Sequence, residues 1–90
     1  MKRVYYTTHT RKRFGERMGH LKIEIENEFK NSKINNSFLN NTSLVLYFFE
    51  KYKKQPTFYT SKNTVFVVYN QTCVTIYDRK HCSINHLAKR

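Results

Sequence analysis

Apolar residues recur with helical spacing in the first part of the chain. Thr10, Phe14, Met18 and Leu21 stand at i, i+4, i+8 and i+11, which predicts one buried stripe of an amphipathic helix. Thr7 or Thr8 supplies a cap for a helix opening near His9, and Gly19 supplies a stop. Gly15 inside this helix costs up to about 1 kcal/mol relative to Ala. Residues 4–7 read as a short strand leading in. Residues 21–31 fit two periods. Leu21, Ile23 and Ile25 alternate with charges as a strand does, whereas Leu21, Ile25 and Phe29 follow a helix, with Glu26 and Lys30 four apart. The glutamates and the lack of a hairpin partner favour helix. The Asn-rich segment 31–43 reads as a loop, anchored by Phe38 and Leu39.

From residue 44 onward the pattern predicts β structure. Residues 44–49 form a strongly apolar strand, 51–55 a basic connection, and Pro56 a strand entry. Residues 57–60 make a short strand and 61–63 a turn. Residues 64–69 and 72–77 flank Asn70-Gln71 as a tight hairpin. A two-residue loop fixes the register: Tyr69 with Thr72, Val67 with Val74, and Val65 with Ile76, on a face that packs against helices. The opposite face pairs Val68 with Cys73, Phe66 with Thr75, and Thr64 with Tyr77. It mixes hydroxyls and aromatics, as a half-solvated binding surface does and as an ordinary solvent-facing sheet does. With 90 residues the chain suits one domain. The expected class is α+β, with one or two N-terminal helices packed on a four-stranded antiparallel sheet and a basic tail over about 79–90.

Charge narrows the partners. The chain carries 17 Lys and Arg against 6 Asp and Glu, a formal charge of +11, which attracts polyanions. Glu16, Glu24, Glu26 and Glu28 sit in one stretch, and only Glu50 and Asp78 interrupt the basic field elsewhere. Tyr and Phe supply a core and also stacking surfaces for bases. No apolar stretch follows Met1-Lys2-Arg3 as a secretory signal requires, and none has the length of a membrane span. The expectation is a cytoplasmic protein, without membrane association, whose Cys73 and Cys82 are reduced.

The densest chemical signal is residues 8–19. On a helix, His9, Arg13 and Arg17 fall at i, i+4 and i+8, one row beside the buried stripe. A histidine can give or take a proton, and two arginines can bind phosphate and stabilise charge building on phosphorus. The same spacing fits a solvated basic helix face. Arg11 and Lys12 in this segment, Arg79 and Lys80 at the tail, and the 51–54 cluster are electrostatic contacts for a polyanion. Cys73, His81, Cys82 and His86 are potential metal ligands, but their spacing lacks a paired knuckle on each side. No metal or other cofactor is expected.

The segment Thr8-His9-x3-Arg13-x3-Arg17-x-Gly19, with a closing meander ending Val74-Thr75-Ile76-Tyr77, resembles the small RelE-type toxins of the barnase/colicin/RelE ribonuclease superfamily. The likeness is closest to a branch with a T-H-A-x-x-R-x-x-x-R-G helix and a terminal v-v-T-v-y strand, and it spans most of residues 4–78. Thr10 stands where a small residue is usual, and Met18 separates Arg17 from Gly19. The resemblance implies N-terminal helices on an antiparallel sheet and metal-independent RNA cleavage, with substrate on the open sheet face. It implies site roles for His9, Arg13, Arg17 and, through the last strand, Thr75 and Tyr77; Phe66 joins them as a base-contacting residue of the sheet. The leading expectation is an RNA-directed toxin or ribonuclease using 2′-hydroxyl attack. The alternatives are a non-catalytic nucleic-acid-binding or host-interaction protein, such as a small viral accessory factor, and a basic protein that binds an acidic partner such as an antitoxin.

Overall fold

The computed structural model describes residues 4–40 and 42–79. Five strands, β1 (Tyr5–Tyr6), β2 (Lys33–Ile34), β3 (Thr57–Thr60), β4 (Thr64–Tyr69) and β5 (Thr72–Asp78), form one sheet in the order β1-β5-β4-β3-β2. The β1–β5 pair is parallel and the others are antiparallel. Three helices join them: α1 (Thr8–Met18), α2 (Ile25–Lys30) and α3 (Thr42–Tyr52). The class is α+β as expected. The sheet is mixed and five-stranded rather than antiparallel and four-stranded: the strand expected at 44–49 is absent, the short lead expected at 4–7 joins the sheet as the parallel strand β1, and the two-residue β2 is too short to leave a period in the sequence.

The Thr7 hydroxyl accepts the Thr10 amide at 3.0 Å and opens α1, satisfying one of the helix's unpaired donors. Thr10, Phe14 and Met18 are buried. Leu21 leaves the stripe and is 40% exposed. It sits in a 3₁₀ turn, Gly19–Leu21, whose tighter winding rotates it off the α-helical face. Gly19 keeps right-handed geometry, and Lys22, at φ 54°, makes the left-handed turn instead. The ambiguous segment that follows resolves as helix from Ile25, with Ile25 and Phe29 buried. The Asn-rich segment holds β2 and a 3₁₀ turn, Asn36–Asn40.

The largest correction concerns residues 44–49. They are helical, within α3, and not a strand. Phe48 is buried, and Leu44, Val45 and Tyr52 pack in the same cluster, at i, i+1, i+4 and i+8, one helix face. Helices therefore cover both sides of the sheet. On one side Phe14 and Met18 of α1 and Ile25 and Phe29 of α2 meet Phe66, Val68, Cys73 and Ile76. On the other, Phe48 of α3 meets Phe58, Val65, Val67 and Tyr69. Every residue of β4 is buried, which explains its unbroken apolar run. The open sheet face expected to carry substrate is absent among the described residues. Phe66, expected to contact nucleic acid, has no exposed surface and packs edge-on against Phe29 with ring centroids 5.2 Å apart.

The hairpin at Asn70-Gln71 is present, with φ of 46° and 65°, as a type I′ turn requires. Tyr69↔Thr72 and Val68↔Cys73 pair as expected. A bulge then inserts Val74, so Val67 pairs with Thr75, Phe66 with Ile76, and Val65 with Tyr77. From Val74 onward the expected register is displaced by one residue.

Candidate nucleic-acid site

The bulge decides where the chemistry lies. Residues paired across an antiparallel ladder share a face. Thr75 and Tyr77 therefore join the side of Val67 and Val65, which α3 covers. With the unbulged register they would have shared the face of Phe66, beneath α1 and α2. One inserted residue re-aims both side chains.

Helix α1 runs alongside β5. The Thr10 hydroxyl donates to the Cys73 carbonyl at 2.7 Å, and the Arg17 guanidinium donates to the Ile76 carbonyl at 2.5 Å. Seven helical residues rise about 10 Å and three strand residues about 10 Å, so helix and strand stay in step between these two ties. Strand β1 pairs only with Thr72 and Cys73. Side chains of α1 meet the outer edge of β5 beyond that point.

Between the start of α1, the bulged half of β5 and α3 lies a cleft of about 450 Å³. Thr7 and His9 line it from the helix start, and Val74, Thr75 and Tyr77 from the strand. Tyr47, Phe48, Lys51 and Tyr52 line it from α3. No carboxylate is among these residues. Three side chains expected to act together, His9, Thr75 and Tyr77, thus share one cavity, although the sheet face bearing two of them is not the one expected.

The other expected residues divide. The Arg17 guanidinium lies over the Tyr77 ring at 5.7 Å while bonded to the Ile76 carbonyl. It braces a cleft wall and does not itself line the cleft. Arg13 is exposed and lies 3.8 Å from Glu16, outside the lining. Arg11 is engaged elsewhere, with Glu26 at 2.9 Å and over the Tyr6 ring at 5.0 Å. The hydrogen bond from Arg11, with one from the Glu26 backbone, holds the Glu26 carboxyl below its ordinary value. Lys12 is exposed. Arg79 donates to the Ser61 carbonyl at 2.6 Å and its amide to Asn63 at 2.9 Å, stapling the end of β5 to the β3–β4 turn. Lys80 lies outside the described residues, as do His81, Cys82 and His86. Cys73, the remaining member of the metal alternative, has no exposed surface, and burial pushes its thiol up to about 12. Among the described residues no group of three or more His, Cys, Asp or Glu is placed to hold a metal ion. No helix among them is long and apolar enough to cross a membrane.

The residues missed from the sequence are Tyr47, Phe48 and Tyr52 of α3, and Lys51, expected only as part of a general basic cluster, joins them in the cleft. The Lys51 ammonium lies 5.6 Å over the Tyr52 ring. Tyr52 stacks on Phe48 at 6.4 Å and tilts against Tyr69 at 4.6 Å. Tyr69 in turn donates to the Lys54 carbonyl at 3.0 Å. Burial, and then the neighbouring Tyr52, push the Tyr69 hydroxyl up to about 12. Lys51 is thus carried on aromatic rings rooted in the core. The signal was available: Phe48 and Tyr52 are four apart, and Lys51 follows Tyr47 at the same interval. Comparison with protein-family models, with curated proteins and with solved structures finds no match for this chain.

Proposed function

We propose that the protein acts on RNA, holding a phosphate in the cleft beside His9 and cleaving the adjacent linkage without a metal. One observation carries this reading: His9, Lys51, Thr75 and Tyr77 converge on a cavity with no carboxylate in its lining, in a chain of formal charge +11. Such a lining favours an anion, and its tyrosines suit a base.

In this mechanism His9 removes the proton from the 2′-hydroxyl. The 2′-oxygen bonds to phosphorus as the bond from phosphorus to the 5′-oxygen breaks. The proton passes from His9 to the departing 5′-oxygen, leaving a 2′,3′-cyclic phosphate and a free 5′-hydroxyl. The Lys51 ammonium offsets charge building on the phosphoryl oxygens, the part expected of Arg13 and Arg17. Arg17 acts as a positioning residue, by holding Tyr77.

A second reading is RNA binding without cleavage. It is favoured by the position of Arg13 outside the lining and by Arg17 being spent on the Ile76 carbonyl. Incubating the purified protein with RNA in EDTA separates the two. The expected result is cyclic-phosphate products, with His9→Ala slowing cleavage by at least about 100-fold while RNA is still bound. Binding without cleavage in the wild type would leave the second reading standing.

A further inference from the structure

We infer that the cleft takes one unstacked nucleotide at a time, so that the protein selects single-stranded RNA over duplex, with Tyr47 as the stacking surface and Lys51 as the phosphate contact. The inference rests on the RNA reading above and adds the form of RNA and the residues that choose it.

Size comes first. A cavity of about 450 Å³ falls at the small-ligand end of binding sites, roughly 300–1,000 Å³. It has room for a base with its sugar and none for a paired helix. Shape follows. The Tyr47 ring meets Phe48 edge to face, with centroids 5.0 Å apart and planes at 79°. Phe48 is buried and Tyr47 is 54% exposed. The tyrosine therefore stands on a fixed base at the cleft wall and keeps a ring face for a ligand. Stacking on such a face tolerates any base but requires one that has left its own stack.

Charge completes the arrangement. Lys51 lies one helical turn after Tyr47, and i, i+4 neighbours on a helix are about 5–6 Å apart. The Lys51 ammonium itself lies 5.6 Å over the Tyr52 ring, and both side chains line the same cleft as Tyr47, so the phosphate of a nucleotide stacked on Tyr47 is within reach of the lysine. No described carboxylate forms an ion pair with Lys51. A duplex shows the protein its phosphates and the edges of its grooves, and keeps its base faces covered. It can use the general basic surface but gains nothing from Tyr47.

Binding of a labelled single-stranded oligoribonucleotide and of a duplex of equal strand length tests this, by fluorescence anisotropy at physiological salt. The proteins are the wild type, Tyr47→Ala, Lys51→Gln and Lys62→Gln. Lys62 is exposed in the β3–β4 turn, outside the cleft, so its loss reports charge alone. Both cleft side chains are exposed, and melting curves confirm that each variant folds. The wild type is expected to prefer the single strand about tenfold or more. Tyr47→Ala should weaken single-strand binding roughly tenfold and duplex binding less than about twofold. Lys51→Gln should reduce single-strand affinity more than Lys62→Gln does. Equal wild-type affinity for both forms, or equal losses on both in every variant, would overturn the inference and leave RNA binding as a surface effect. A wild type that binds neither form removes the RNA reading itself.

Discussion

On the α1–α2 side of the sheet, Phe29 meets Tyr6, Tyr59 and Phe66 with ring centroids 6.3, 4.9 and 5.2 Å apart, and Met18, Phe66 and Ile76 have no exposed surface. On the α3 side Phe48, Phe58, Val65 and Val67 are equally buried, yet Leu46, Tyr47 and Phe49 stand 53%, 54% and 49% exposed and a cleft remains against β5. Two helices and the end of β1 seal the first side. One helix serves the second, and it cannot also fill the space over the bulge. The sealed side fixes the positions of α1 and β5. The unsealed side uses them, because His9 hangs from one and Thr75 and Tyr77 from the other.

That contrast is broken most sharply by emptying the sealed side. Phe29→Ala or Phe66→Ala should destabilise by about 3–5 kcal/mol in urea unfolding. Tyr47→Ala, on the unsealed side, should cost less than about 0.5 kcal/mol. Similar losses at the two sites would remove the distinction.

Alkali should loosen both sides. Burial raises the hydroxyls of Tyr6 and Tyr69 from 10.0 to about 12, with the charge of Glu26 adding to the effect at Tyr6, and raises the Cys73 thiol from 9.0 to about 12. These groups are neutral when protonated, and the unfolded chain loses its protons first. Their contribution is therefore complete below about pH 9 and declines as pH rises from there through about 12. Urea midpoints at pH 8, 10 and 11 should fall in that order. In the native state at pH 8, peptide mapping should find Cys73 unalkylated.

Arg17 joins the two sides, since it is bonded to the Ile76 carbonyl and covers Tyr77. Arg17→Ala should cost about 1–2 kcal/mol and also weaken RNA binding. Arg13→Ala should leave stability within about 0.5 kcal/mol. The smallest effect has the opposite sign. A Cβ at Gly15 would meet nothing within 4 Å, so Gly15→Ala should stabilise α1 by about 0.5–1 kcal/mol and leave RNA binding unchanged.

The parts legible in the sequence were those with a local cause. The Thr7 cap, the Thr10–Phe14–Met18 stripe and the Asn70-Gln71 turn each rest on neighbours a few residues apart. Helix α3 was not legible, because Leu46, Tyr47 and Phe49 are apolar on its outer side and erase the helical period that Leu44, Phe48 and Tyr52 carry. Aromatic and branched side chains then made the run resemble a strand. Losing α3 hid Tyr47 and Tyr52 and the place of Lys51 beside them in the cleft. The bulge at Val74 was hidden for another reason: either register of that segment places apolar residues inward, and only packing against both helical layers selects one. His9 and Tyr77, expected to serve one site on an open sheet face, line one cleft beneath α3 instead, while Phe66 was assigned to a surface that α1 and α2 cover.

The central claim is that ligand occupies the unsealed side. Titrating ¹⁵N,¹³C-labelled protein with a short single-stranded oligoribonucleotide tests it directly by NMR. The account predicts that the His9 imidazole, the Tyr47 and Tyr77 rings, the Thr75 amide and the Lys51 side chain shift together and saturate at one equivalent, while the Phe29 and Phe66 rings stay in place. Shifts scattered over exposed lysines without saturation, or centred on α2 with the cleft unmoved, would contradict it.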